Sequence, residues 1–236
     1  MSDAEAAISR RLTGRSTPEL PPRILRAGPV EALLDGADLR HVSIDGTELV
    51  QRVYVAVRDA PWNTIPATLS DWRHEIGPEA FVVTFKAVHR HDAIDFAWDG
   101  RIEGTADGVI RYTMDGVCRG VFAYSKIGFN VHHALDGAVG RPYVARTEDG
   151  PLGGVLPAAI DPQRIVDGTL SGMFAPYDEL AIEVLDGLEA VIALDGDRME
   201  LQDHRNWTDA NFKSYGTPLV LGFPFDSRDG QTIRQV

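Results

Sequence analysis

Eleven Asp-Gly pairs punctuate this chain, at 35–36, 45–46, 99–100, 107–108, 115–116, 136–137, 149–150, 167–168, 186–187, 195–196 and 229–230. Asp tolerates the left-handed backbone region and Gly enters it without a Cβ clash, so the pair suits the primed two-residue turns that join antiparallel strands. Punctuation of this density leaves little room for helices. It predicts a meander of about fifteen or more short strands.

The residues between the pairs fit that reading. His41-Val42-Ser43-Ile44-Asp45 alternates, and Val53 to Val57 and Phe81 to Phe85 are β-branched and aromatic runs that place at least one face on a core. Leu180–Leu185, Leu188–Leu194 and Arg198–Asp203 read as three hairpin-linked strands, the last delivering a polar segment to a strand end. Helical signals are confined to Ala4–Ile8 and Ser70-Asp71-Trp72. The expected fold class is therefore all-β, a large antiparallel two-sheet β-sandwich. Residues 1–22, polar and ending in Pro21-Pro22, are expected to be a flexible lead-in, with the sandwich domain over 23–236. The final residues Gln231–Val236 read as a strand, so the domain looks truncated at its C-terminal end.

With 236 residues the chain can bury a sizeable core without cross-links. A single cysteine, Cys118, forbids an intramolecular disulfide, and Met1 to Leu20 lack a signal-peptide core, which makes a cytoplasmic location the expectation. No apolar run approaches the ~20 residues of a spanning helix, so no membrane partner is expected. The net charge of −12 without a basic stripe argues against nucleic acid. An anionic ligand would have to meet locally placed Arg or Lys.

One segment is too rich for an ordinary loop: Asp203-His204-Arg205-Asn206-Trp207-Thr208-Asp209-Ala210-Asn211-Phe212-Lys213-Ser214-Tyr215. Arg205 and Lys213 suit carboxylate or hydroxyl oxygens, Arg205 as a bidentate fork. The Trp207 indole suits the apolar face of a sugar ring. The same residues could instead form a buried network that pins a loop, with Arg205 on Asp209. Asp59–Thr64 contains a second such group around Trp62, which could line the same rim. Adjacent His132 and His133 point to opposite faces of a strand, so at most one serves a given site, as a base or hydrogen-bond donor. His89-Arg90-His91-Asp92 reads as an exposed hairpin end. No His-Glu-x-x-His, cysteine pair, calcium loop, P-loop or Gly-x-Ser-x-Gly elbow occurs, so no metal or cofactor is expected.

These residues resemble the N-terminal region of the D-apionate lactonase family. The matching pieces are Arg23–Pro29, Val57–Thr64, Ile102–Gly108, Ile127–His133 and, most specifically, Asp203–Tyr215. The resemblance implies a β-sandwich of the galactose-mutarotase-like type, a small sugar acid or its lactone as ligand, and hydrolytic ring opening in the breakdown of apiose. It also implies a further C-terminal barrel region of the same polypeptide as partner. The family's pattern carries glutamine at His204 and an aliphatic residue at His132, which puts His133 forward. The expected catalytic set is His133 or Asp203 acting on water, Arg205 or Lys213 on developing charge, and Asp209. Asn206, Trp207, Trp62 and Arg141 are expected to bind substrate.

The expectation of a non-catalytic carbohydrate-binding or scaffold domain, and of an epimerase-like activity on the same fold, stand beside it.

Overall fold

Period-two burial runs through nearly every segment of the computed structural model, which describes residues 22–166 and 168–236. The first strands are β1 (Arg23–Ala27), β2 (Val30–Asp35), β3 (Asp38–Ile44), β4 (Thr47–Asp59) and β5 (Ala67–Ile76). They are followed by β6 (Phe81–His91), β7 (Ile94–Gly104), β8 (Ile110–Cys118), β9 (Ala123–Ala134), β10 (Pro142–Thr147) and β11 (Gly150–Val155). The remaining strands are β12 (Arg164–Val166), β13 (Thr169–Ser171), β14 (Tyr177–Leu185), β15 (Leu188–Ala193), β16 (Met199–Asp203), β17 (Asn211–Gly216), β18 (Phe225–Asp226) and β19 (Thr232–Gln235). Two short 3₁₀ turns complete the set: η1 (His204–Trp207) and η2 (Leu219–Leu221). No helix among the described residues is long and apolar enough to cross a membrane.

The strands form two main antiparallel sheets and one small ribbon. The twelve-stranded sheet runs β1-β2-β3-β4-β9-β17-β16-β14-β10-β11, with β15 on β14 and β18 on β9. The five-stranded sheet runs β19-β8-β7-β6-β5, and β12 pairs only with β13. Large inward side chains of both main sheets meet between them: Tyr112 of β8 lies edge-on to Phe129 of β9 at 4.8 Å, and its hydroxyl donates to the Ala37 carbonyl. Phe85 and Trp98 pack beside it at 5.2 Å, and Phe96, Ile102, Leu201 and Phe212 complete an all-β sandwich core.

Most Asp-Gly pairs make the expected turns. Asp45 and Gly46 both have positive φ, 49° and 80°, as a two-residue primed turn between β3 and β4 requires. Asp167-Gly168 lies partly outside the described residues, and Ala4–Ile8, with the expected lead-in up to residue 21, lies wholly outside them. Two pairs are not turns at all: Asp99-Gly100 and Asp115-Gly116 sit inside β7 and β8, where Asp99 faces Asp115 in register. The glycines there make room for rings on the neighbouring strand. A Cβ on Gly100 would lie 2.3 Å from Phe85 Cζ, and one on Gly116 would lie 2.2 Å from Phe96 Cζ. Gly100→Ala should therefore cost about 1–3 kcal/mol through overpacking, read as a lowered urea midpoint. An unchanged midpoint would mean that the Phe85 ring moves aside freely.

Three other expectations are corrected. Ser70-Asp71-Trp72 is not helical but belongs to β5, where the register shifts between Ser70 and Arg73 and Asp71 takes φ 55°. The run from Leu180 to Asp203 is not three successive hairpins. β15 pairs with β14, but β16 meets β14 only at Tyr177↔Met199 and pairs along its length with β17. The His89–Asp92 tetrad divides: His91 and Asp92 are exposed, whereas His89 is buried, donating from Nδ1 to the Ile65 carbonyl at 2.7 Å and accepting from Trp98 Nε1 at 3.1 Å. Alternation turns His89 inward with Phe85 and Ala87, and two neutral-ring hydrogen bonds make that burial tolerable.

Candidate functional site

Strands β4, β9, β17 and β16 lie side by side, and their register sorts the polar residues onto one face. Arg52 faces His132, His132 faces Lys213, and Lys213 faces Gln202. One step along, Tyr54, Asn130, Tyr215 and Glu200 form a parallel row. Arg58 pairs with Lys126 further along β4 and β9. Side chains alternate across a strand, so the intervening residues Val53, Val131, Ser214 and Leu201 point to the sandwich core. The outer face thus carries two polar rows on a rigid four-strand floor.

The outer face is cationic in a protein of net charge −12. Burial, then repulsion from Arg58 and Arg52, lowers the Lys213 ammonium to about 8 against an opposing pull from Asp209. The described residues give Lys213 no hydrogen-bond or ion-pair partner. Burial, helped by Lys213, Arg52 and His204, lowers His132 to about 3, so its ring is neutral at pH 7. His132 lies edge-on to Tyr54 at 5.4 Å, and the Arg52 guanidinium sits 4.0 Å above the Tyr54 ring. Arg52 also donates from Nε to Asp38 at 2.8 Å, and Arg58 donates to the Trp62 carbonyl at 3.1 Å. Lys126 is only 4% exposed; its ammonium donates to the Thr217 carbonyl at 3.2 Å and lies 3.8 Å from the Tyr215 ring centroid. Burial pushes its pKa well down. Burial pushes the Glu200 carboxyl up, although Leu219 N–H donates to its Oε2 at 2.7 Å.

The Asp203–Tyr215 segment contributes to this face in part. Lys213 and Tyr215 belong to it directly. His204 follows from η1, with Nδ1 3.2 Å from Asp209 Oδ2. Asp203 and Arg205 are joined to each other instead. Asp203 Oδ1 accepts from Arg205 Nε at 2.8 Å and from Arg205 N–H at 3.1 Å, and Oδ2 accepts from the same guanidinium at 2.7 Å and from Asp161 N–H at 2.8 Å. The remaining Arg205 donors reach the carbonyls of Pro157, Ala158 and Ala159. Burial works against the Asp203 carboxylate, but the bonds from Arg205 and Asp161 outweigh it and hold the group below its ordinary range. This pair fixes η1 and the 157–161 loop. Asn206 donates to the Asp161 carbonyl at 3.0 Å, and Trp207 stands 50% exposed at the end of η1.

The other expected site residues are dispersed. His133 points to the core, 1% exposed, bonded to Ser214 Oγ at 2.6 Å, and burial alone lowers it to about 4. The histidine that shares a face with Lys213 is His132. Trp62 packs edge-on to Phe223 at 4.9 Å, beside Arg58. Arg141 pairs with Asp186 at 3.2 Å at the start of β10 and makes no contact with the rows. Arg52, Arg58, Lys126, Asn130 and Glu200 carry no site role in the sequence reading, and Tyr215 enters it only as the end of the rich segment. Their signal is present as polar residues two or four apart, on one face of a strand, Arg52-Tyr54 and Lys126-Asn130-His132, but its meaning needs the strand order. No three His, Cys, Asp or Glu side chains among the described residues converge to hold a metal ion.

A family model described as the N-terminal domain of D-apionate lactonase matches residues 10–236. A curated D-apionate lactonase from Brucella anthropi is 30% identical over 218 residues, which cover 91% of this chain and 34% of that protein. The chain thus spans about a third of the relative's length. The crystal structure of a candidate aldose 1-epimerase from Escherichia coli K12 superposes with a TM-score of 0.53 at 11% identity, covering 91% of this chain and 96% of that one. That likeness shows the fold, a galactose-mutarotase-like sandwich.

Proposed function

We propose, for a chain that belongs to the D-apionate lactonase family as its N-terminal domain, that the outer face of β4, β9, β17 and β16 binds the lactone of a sugar acid and opens it to the free acid. The observation that carries this reading is Lys213, a partly buried amine brought to about 8 between Arg58 and Arg52 with no hydrogen-bond or ion-pair partner among the described residues. An amine near neutrality can accept a proton at physiological pH, and the guanidiniums beside it suit an oxyanion.

In this reading water attacks the lactone carbonyl carbon while neutral Lys213 takes its proton. Arg52 and Arg58 stabilise the tetrahedral oxyanion. The ring C–O bond then breaks, and the leaving alkoxide recovers the proton from the Lys213 ammonium. Neutral His132 shapes the row, and Asp209 with His204 borders it. Trp207 offers an apolar platform at the rim. Asp203, Arg205 and Asn206 act through the placement of η1. His133 and Arg141 take no step. The reading extends to the breakdown of the branched pentose apiose, and the single buried thiol, Cys118, supports a reducing, cytoplasmic setting.

The test is direct. The chain should accelerate acid release from D-apionolactone over buffer, followed at constant pH. No acceleration, with binding of the product acid retained, would favour a second reading in which the sandwich binds sugar acids and the rest of a longer polypeptide performs the hydrolysis. The chain's span of 34% of its curated relative favours that alternative.

A further inference from the structure

Carboxylates directly opposite one another across a ladder repel, and Asp99 faces Asp115 in this way on the outer side of the five-stranded sheet. A cation stands next to each in register, Lys86 beside Asp99 and Arg234 beside Asp115, yet both turn elsewhere. Lys86 Nζ lies 3.9 Å from Asp71, and Arg234 Nη1 lies 3.9 Å from Asp195. Asp99 and Asp115 are exposed and have no ion-pair or side-chain hydrogen-bond partner among the described residues. A face that served solvation alone would pair its charges across the strands. The next row on the same face holds Arg73, Thr84, Arg101 and Thr113. Short threonines between longer side chains, and an edge strand bent by its bulge, leave a basin of about 640 Å³ over the two rows. That volume lies within the ~300–1,000 Å³ of small-molecule sites. Asp71, a bulge residue held at φ 55°, forms part of its wall, and such strain in a non-glycine residue clusters at ligand sites.

We infer that this basin binds a short neutral oligosaccharide, with Asp99 and Asp115 as paired acceptors and Arg73 and Lys86 as donors. Charge selects the class of ligand. In a protein of net charge −12, the basin sets Asp71, Asp99 and Asp115 against Arg73, Lys86 and Arg101, so it has no net pull on an ion of either sign. What it offers is many donors and acceptors close together. Ionised carboxylates only accept, guanidinium and ammonium groups only donate, and the threonine hydroxyls do both, which matches a molecule studded with alcohols. Arg101 is tied to Glu103 at 2.7 Å, whereas Arg73 has no ion-pair partner among the described residues and is free to donate. Trp72 lines the β5 side, partly buried against Phe85 at 4.6 Å. A bound sugar hydroxyl between Asp99 and Asp115 would also donate to the two groups whose proximity otherwise costs stability. The basin lies on the other sheet from Lys213, so it stands whether or not the face that carries Lys213 opens a lactone.

Titration of the 236-residue chain with the linear trimers of glucose, glucosamine and galacturonate, followed by amide NMR, tests this. Salt at about 0.15 M suppresses attraction of the cationic trimer by the acidic surface as a whole. The glucose trimer should bind at least about tenfold more tightly than either charged trimer, with its shifts on β6, β7 and β8. Asp99→Asn and Asp115→Asn should each weaken it about fivefold to tenfold, while Tm holds or rises because the two carboxylates no longer repel. Absence of shifts, or shifts gathered on β4, β9 and β17, would overturn the basin as a site. Equal or tighter binding of a charged trimer would overturn the neutral class of ligand. Unchanged affinity in both variants would remove the paired carboxylates, and the inference with them.

Discussion

Lys213→Met should reduce lactone opening by at least about a hundredfold, the lower range for loss of a positioned general base. The same variant should be at least as stable as the parent. The folded-state pKa of Lys213, about 8, lies below the unfolded value near 10.4, so protonation of this amine opposes folding. At pH 7, below both values, the full penalty is present. It is relieved as pH rises from about 8 towards 10.4, and methionine removes it altogether. Loss of activity with a maintained or raised Tm is the pattern of a functional residue placed against stability.

The pH profile gives a sharper check. The base is the neutral amine, so kcat/KM should rise about tenfold per unit below about 8 and level off above it. His132, at about 3, adds no inflection near neutrality. Lys213→Arg keeps the charge but cannot titrate in this range and should lose both activity and inflection. A profile of unchanged shape in that variant, or full activity in Lys213→Met, would remove Lys213 from the chemistry.

Asp203→Ala carries the largest expected cost in stability, about 3–5 kcal/mol. Removing one member of a buried pair strands the other, and Asp203, 2% exposed, meets Arg205 through two guanidinium bonds and also accepts Asp161 N–H. The loss should be concentrated in η1 and the 157–161 loop, as faster amide exchange there. Because the folded pKa of Asp203 is depressed, its contribution is fully present above about 3.9 and is lost as pH falls through the folded value. The stability difference between parent and variant should therefore shrink in strong acid. A loss of turnover with unchanged stability would instead assign Asp203 to the reaction.

The two predictions separate residues that the sequence presents together. Lys213 and Asp203 are both polar members of one dense segment, ten positions apart, and composition offers no means to rank them. β17 turns Lys213 to the outer face, while Asp203 ends β16 on the core-facing side opposite Phe212. A similar ambiguity attends His132 and His133. Alternation alone required them to part, but which of the two met Lys213 depended on the register of β9 with β17. The Asp-Gly pairs at 99–100 and 115–116 show the same limit from the side of the fold. Their turn chemistry is identical to that of 45–46, and only the rings of Phe85 and Phe96 across the strand explain why they continue the strands.

The sequence by itself determined the all-β class, the antiparallel hairpins at most Asp-Gly turns, the absence of disulfide support and the segment richest in polar chemistry, but not a meander, since β4 pairs with β9 and β9 with β17. These follow from local rules: turn residues with access to positive φ, alternation within strands, and a single cysteine. Only the tertiary structure decided that β9 lies between β4 and β17, that Arg52, His132 and Lys213 form one row, and that Arg205 is bound into the scaffold. The physical reason is that neighbours in a sheet are set by pairing between distant segments, as His132 pairs with Arg52 and with Lys213, each about 80 residues away. The burial and repulsion that bring Lys213 to about 8 exist only after those segments meet.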